Sequence, residues 1–285
     1  MIKLNYPFLC NSLIIMVLVI FSMNALAIEL KGEFLEGSLI TGKAPLKSTV
    51  KAGEKKLLLT DGGIFTFGLG YRSEEIKISV VDASGQMENH NIKVLKRIYD
   101  VQRIDGLHPD KVNPPKSILN KIKEEQKKIK DVRTRASSWS DFKEGFIWPV
   151  LGRISGVYGS QRILNGELRS PHFGVDIAAP VGRPVISPAG GVVVLSENDF
   201  YFSGGTIIID HGHGISSSFL HLSKLEVTVG QRVIKGQIIG EIGATGRVTG
   251  PHLDWRVNWF DQRLDPQLLV DPMPEILIPP PPMRP

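Results

Sequence analysis

"GGTIIIDHGHGISSSFLHLSKL", residues 204–225, decides the fold. An isoleucine run ends at Asp210, His211-Gly212-His213-Gly214 supplies turn chemistry, and a second β-prone run starts at Ile215. The same texture continues on both sides, in "RPVISPAGGVVVLSE" (183–197), "RVIKGQIIGEIG" (232–243) and "PHLDWRVNWF" (251–260). Each run is short and bounded by Gly, Pro, Asp or Ser, and no long amphipathic helix interrupts them. Residues 146–270 therefore read as an antiparallel, sheet-rich domain with tight connections. His211 and His213 have the H-x-H spacing of a metal pair, but Gly212 and Gly214 place them in the turn, and both read as structural, or as hydrogen-bonding groups near the groove.

Outward from this domain the texture changes. The chain has 285 residues, 42% of them hydrophobic, and a formal charge of +5. That charge fits attraction to an anionic polymer, and nothing points to nucleic acid. At the start, Lys3, an apolar run from Leu13 to Phe21 and the Ala25–Ala27 segment have the layout of a secretory signal peptide over residues 1–27. The run is too short for a comfortable membrane span, so no stable span is expected after cleavage, and the product is periplasmic or otherwise exported and envelope-associated. Cys10 is the only cysteine and lies within that segment. The mature chain then has no disulfide, thiolate nucleophile or cysteine zinc site, and any metal must be held by His, Asp and Glu.

Residues 28–96 read as a small β-sandwich, with one hairpin across Asp61-Gly62-Gly63 and another whose alternation at Ile76, Ile78 and Val80 leads to a turn at Ser84-Gly85. His90 stands alone between two Asn and reads as a surface residue. Residues 97–145 read as a linker carrying one charged amphipathic helix, with Ile118, Leu119, Ile122 and Ile129 as its apolar stripe, expected to pack on a neighbouring domain, the alternative being a basic face that touches an anionic polymer. Residues 271–285 read as a Pro-rich tail.

Five of the seven histidines, His172, His211, His213, His221 and His252, fall in the second domain. Strand alternation gives three of them a common purpose. In "HFGVD", His172 and Asp176 are four apart and share a face, with Phe173 and Val175 turned the other way. In "HLD", His252 and Asp254 flank an inward Leu253. In "SSSFLHLS", His221 falls on the same side as Ser217. Three imidazole or carboxylate ligands plus a water is the composition of a hydrolytic zinc site.

In that order, "RSPHFGVDIAAPVGRPVISPAGGVVV", "GGTIIIDHGHGISSSFLHLSKL" and "GQRVIKGQIIGEIGATGRVTGPHLDW" closely resemble the LytM- or lysostaphin-type zinc metallopeptidases, over about residues 147–270. The resemblance implies a mainly β chain with an antiparallel LytM-type domain of the duplicated hybrid motif kind. It implies one Zn2+, with His172 and Asp176 as ligands and His221 and His252 as catalytic residues, and hydrolysis of peptidoglycan peptide bonds. Less distinctly, the β-rich segment and linker resemble those preceding such domains in exported bacterial proteins. The family usually has H-x-H where this chain has His252 and Asp254. We read Asp254 as the third ligand. A second carboxylate leaves the centre neutral rather than positive, so it should acidify its water less and leave more to the histidines. Some relatives have lost the metal site and activate other wall hydrolases. That is the alternative function, and it would bring a cell-wall hydrolase or divisome partner. Tyr158 and Arg162 in "VYGSQR" are candidates to reach a substrate carbonyl or carboxylate, and Tyr201 and Phe202 to wall the groove. Trp255 and Trp259 read as core or rim. Which histidine acts as base, and which bond is cut, stay open.

Overall fold

The computed structural model describes residues 28–274, so the expected signal peptide with Cys10, and the tail from residue 275 on, lie outside the described residues. Ten strands join in one sheet: β1 (Arg153–Gly156), β2 (Val175–Ala178), β3 (Pro184–Ile186), β4 (Gly191–Phe200), β5 (Gly204–Gly212), β6 (Ile215–Leu225), β7 (Arg232–Val233), β8 (Ile238–Ile242), β9 (His252–Trp259) and β10 (Gln262–Leu264). All pairings are antiparallel. The path runs β7-β4-β5-β6-β9-β2-β1, with β8 bridging β6 to β3 and β10 edging β9.

The isoleucine run has a physical reason. β5 is buried along its whole length. Ile207 and Ile209 face the main core with Phe219, Leu253 and Trp255, while Ile208 faces the other way into a second cluster with Leu195 and Phe200. A strand covered on both faces needs apolar side chains at successive positions, not alternate ones. The second cover is a helix, α1 (Leu119–Arg133), which lays Ile129 and Val132 on that cluster. Lys128–Glu197 (2.6 Å) and Lys121–Asp199 (3.3 Å) pair α1 with β4.

The stretch expected to be a linker is thus built into the sheet face. It also adds a strand, Val101–Ile104, which pairs in parallel with Gln161–Leu164. The helix packs on the neighbouring domain as its apolar stripe suggests, through Ile129, while the added strand has no apolar alternation to announce it.

The N-terminal residues form a three-stranded sheet (Glu29–Lys31, Leu39–Lys43, Ile64–Gly68) and a four-stranded one (Lys55–Leu57, Thr49–Ala52, Glu75–Val81, Met87–Lys93). The hairpin ending at Ser84-Gly85 is present, its turn closed by Asp82 Oδ1 accepting from the Ser84 (2.8 Å) and Gln86 (2.9 Å) amides. The hairpin expected across Asp61-Gly62-Gly63 is not. Lys55–Leu57 and Ile64–Gly68 belong to different sheets, so that turn carries the chain from one layer to the other. Turn residues specify a reversal, but not which neighbour the next strand finds. Phe65 and Phe67 share the main core with Trp259 and Leu264. Contact is close at Gly68, where a Cβ would lie 2.8 Å from Leu264 and 2.9 Å from Trp259. Among the described residues no helix is long and apolar enough to cross a membrane.

His211 is on the core face of β5, fully buried, with Nδ1 2.6 Å from the Gly190 carbonyl and Nε2 2.9 Å from Ser217 Oγ. His213 sits in the turn and packs on Phe142. Burial pushes the His211 imidazole down to about 4, against 6.5 unperturbed. Its contribution to stability is therefore complete above about pH 6.5 and is lost as pH falls toward 4, because only the unfolded chain takes up the proton. Denaturant midpoints should drop across that window. His211→Gln should start from a lower midpoint at pH 7 and show a shallower drop.

Candidate metal centre and active site

β2 and β9 lie side by side in a register that sets Asp176 directly opposite Asp254. Both side chains leave the core face to Ile177, Leu253 and Trp255 and gather on the other. Two like charges directly opposite each other repel, so cations must surround them. His172 supplies the third member of the cluster. Donor atoms of His172, Asp176 and Asp254 all lie within 4.8 Å of one another, and all three residues are buried. His172 does not reach the cluster by strand alternation, as its spacing suggested. It lies in the segment ahead of β2, its amide donating to the Ser160 carbonyl (2.8 Å) and its carbonyl accepting from Gly159 (2.7 Å).

Neither ring nitrogen of His172, nor Oδ1 of Asp176, has a hydrogen-bond partner among the described residues. His172 Nε2 and Asp176 Oδ1 are 3.1 Å apart without making an acceptable hydrogen bond. Buried polar atoms are rarely left unpaired. One imidazole and two carboxylates, with bare donor atoms converging, form a set into which a zinc-sized cation fits.

Two further imidazoles close over this cluster. His221 and His252 have ring centroids 4.9 Å apart, and His252 Nε2 is 3.7 Å from Asp176 Oδ1. Their Nδ1 atoms lie 2.8 Å from the Thr245 carbonyl and 2.9 Å from the Gly250 carbonyl. A carbonyl only accepts, so each ring donates from Nδ1 and leaves Nε2 bare. His221 gets there by an irregularity in β6. The sequence pattern placed it beside Ser217, but Ser217 faces His211 on the core side. Ser218 and Leu220 line the groove, and His221 joins them because its φ is +69°, with the ladder shifted in register nearby. That backbone conformation costs a non-glycine residue about 1–2 kcal/mol and is found where a site demands it. Burial pushes the His221 ring down to about 4, only partly offset by Asp254. It is neutral at pH 7.

The carboxylates have partners that the sequence reading did not assign. Arg256, two residues past Asp254 on the same face of β9, forks onto it: Nε to Oδ1 at 2.9 Å and Nη2 to Oδ2 at 2.5 Å. Arg162 Nη2 donates to Asp176 Oδ2, and its Nε donates to Gln102 (3.2 Å). Burial pushes the Asp176 carboxyl up, but His172 and Arg162 outweigh it and hold the group below the usual range. Burial likewise opposes ionisation of Asp254, yet Arg256 and then His172 hold it well below that range. Both are carboxylates at neutral pH. The neutral centre expected from two acidic ligands is thus backed by two guanidinium groups. The period of two along β9 carries the signal for Arg256: His252, Asp254 and Arg256 form one alternating set.

The groove around the cluster has a volume of about 660 Å3, with α1 as one wall. Of the residues expected to meet substrate, Phe202 lines it, under the Arg247 guanidinium at 4.5 Å. Arg162 lines it too, but is spent on Asp176. Tyr158 is 2% exposed, donates to the Arg263 carbonyl (2.8 Å) and packs among Tyr71, Tyr99 and Phe173. It is a core residue, because the aromatic cluster closes over it. Tyr201 is tied to neighbouring backbone: its hydroxyl donates to the Asp110 carbonyl (2.7 Å) and its amide to Glu125 of α1 (3.0 Å). Trp255 and Trp259 are core.

Residues 170–266, which hold the whole cluster, match peptidase family M23. The match covers about a third of the chain. The chain is 44% identical over 106 residues to the peptidoglycan DD-endopeptidase ShyA of Vibrio cholerae, covering 37% of this chain and 24% of ShyA. It is 36% identical over 127 residues to the DD-carboxypeptidase/endopeptidase Mpg of Neisseria meningitidis, covering 45% of this chain and 29% of Mpg. The chain thus spans between a fifth and a third of the length of these curated relatives. A Pseudomonas aeruginosa crystal structure assigned to peptidase M23 superposes with a TM-score of 0.65 at 28% identity, covering 84% of this chain and 95% of that one. Its likeness extends well beyond the M23 segment.

The M23 cluster depends on a close approach. Gly174, between His172 and Asp176, has no room for a side chain: a Cβ would lie 2.6 Å from Asp254 Oδ1 and from Arg256 Cγ. Gly174→Ala should therefore lower stability by about 1–3 kcal/mol, measured by denaturant unfolding, as overpacking does elsewhere.

Proposed function

We propose that this chain is an exported zinc metalloendopeptidase that hydrolyses peptide bonds in the stem peptides or cross-links of peptidoglycan. The observation that carries this reading is the set of bare donors: His172 and Asp176 Oδ1, buried and unpaired, facing two imidazoles whose Nε2 atoms are also bare. Such an arrangement is costly unless something charged is bound between them. The names of ShyA and Mpg support the substrate class. The signal-peptide layout of residues 1–27 supports export to the periplasm or cell envelope.

His172, Asp176 and Asp254 would hold one zinc ion, which when bound supplies Lewis-acid polarisation of a peptide carbonyl and acidifies a water. The rest is work of the chain. Arg162 and Arg256 keep the two carboxylates ionised and aimed. His221, neutral at pH 7, can accept a proton at Nε2, and Asp254 and Asp176 favour the charge it then gains. His252, with its Nε2 on the same side, can share that proton or pass it to the leaving amine. The backbone carbonyls of Thr245 and Gly250 stop either ring from flipping its tautomer.

The second reading is a non-catalytic regulator that activates another wall hydrolase. One observation favours it: both oxygens of Asp254 already receive Arg256 donors. A carboxylate oxygen has a second lone pair, so the fork still leaves room for a metal.

Purified protein should release soluble muropeptides from sacculi, identified by mass spectrometry, and a chelator should stop the release. His221→Ala should cost at least about 100-fold in rate, and full activity in that variant overturns the reading. By titration calorimetry, Arg256→Met should weaken zinc binding by about 10- to 100-fold, as loss of an orienting partner does. Absence of stoichiometric zinc, together with stimulation of a separate hydrolase, would establish the regulator instead.

A further inference from the structure

The groove is lined by six arginines, and only three of them have a carboxylate partner. Arg162 pairs with Asp176, Arg256 with Asp254 and Arg169 with Glu167. Arg133, Arg247 and Arg263 make no ion pair among the described residues, and their polar side-chain contacts are few. Arg133 Nη2 donates to Ser218 Oγ (2.8 Å), and its Nε is buried with no partner. Arg263 reaches only Asn258 Oδ1, at 3.4 Å. Arg247 reaches the Lys111 carbonyl, at 3.3 Å.

Two of the three come together at one place. Ser218, which Arg133 touches, lies opposite Arg256 in the β6–β9 register, and Arg263 lies opposite Asn258, two residues further along β9. Arg133 comes down from α1, and Arg263 comes across from β10. Both face the groove on the side of Arg256 away from His252. Burial lowers the pKa of each, and Arg256 lowers them further: Arg263 to about 10, Arg133 well below its usual value. Asp254 and Asp261 offset part of that repulsion, but the guanidinium donors left over have no structural return in the chain alone. A bound anion supplies one.

We propose that Arg133 and Arg263 form an anion subsite that holds a free carboxylate of an acidic peptide substrate beside the metal-binding cluster. This rests on the endopeptidase reading. The placement fits a peptide better than a free phosphate. Arg256 is two strand residues beyond Asp254, roughly 7 Å along β9, which is also about two residues of an extended peptide. A substrate running along the groove with its scissile bond at the cluster would present a carboxylate carried about two residues away to this pair. Two guanidinium forks match a carboxylate's planar oxygens. The subsite makes the groove selective for acidic over neutral peptides.

The test uses the full mature chain and two fluorescein-labelled stem peptides of the same sequence, one with its carboxylates free and one fully amidated. Fluorescence anisotropy should give a dissociation constant at least about tenfold lower for the acidic peptide, as hydrogen bonds to a charged group provide. Arg263→Gln should bring the two peptides to within about twofold, and Arg263→Lys should restore part of the difference. Arg133→Gln should do the same, and its helix content is checked by circular dichroism because Arg133 ends α1. Equal binding of both peptides by the unaltered chain, or a difference that survives in Arg263→Gln, overturns the subsite. Inorganic phosphate at millimolar concentration that displaces the acidic peptide no better than chloride supports a peptide carboxylate, whereas stoichiometric binding of phosphate with no peptide preference overturns it. Binding does not depend on turnover, so selective binding without cleavage upholds the subsite while refuting the endopeptidase reading.

Discussion

Two carboxylates that cannot escape each other organise this protein. Asp176 and Asp254 are locked opposite one another by the pairing of two central strands, and both are buried. Burial and mutual repulsion each favour the neutral acid, yet both stay ionised because His172, Arg162 and Arg256 converge on them. Without Arg162 and Arg256, the register of β2 and β9 would place two unsolvated charges side by side. The strand pairing, the glycine at 174 and the guanidinium groups of Arg162 and Arg256 all serve to accommodate that pair.

The same constraint explains why α1 belongs to the site rather than to a spacer. A sheet face that carries so many charged groups near the cluster still has an apolar stretch over β4 and β5, and that stretch must be covered. Ile129 and Val132 cover it, and Glu125 takes the amide of Tyr201 at the end of β4. The helix thereby brings Arg133 to the groove. One element both shields the isoleucine strand and completes the wall of the cavity.

Much of this was legible in the residues, and the limits have physical causes. The β texture of 204–225 followed from short apolar runs, the pairing of His252 with Asp254 on one face from spacing, and the inclusion of His172, Asp176 and His221 from the family resemblance. The period-two rule failed at His172, which sits ahead of its strand, and at His221, where a left-handed residue adds half a step. No side-chain pattern announces a change in backbone sign at a single position. Arg162 was singled out, but for substrate rather than for Asp176, and the other arginines were missed for a different reason. Charged residues read as solvated surface unless something shows that they are shared, and the sharing joins the adjacent strands β9 and β10 to α1, which is far away in the chain. Arg256 alone was within reach of the local pattern.

The twist in the backbone at His221 sets a limit on how this domain can be improved. Glycine or asparagine would sit there with less strain and would gain a fraction of the domain's thermal resilience, while discarding the ring that Thr245 holds toward the cluster. A screen for heat tolerance alone would therefore select against the imidazole. Any lineage that no longer needs the imidazole has a downhill path to losing it, with folding as the beneficiary.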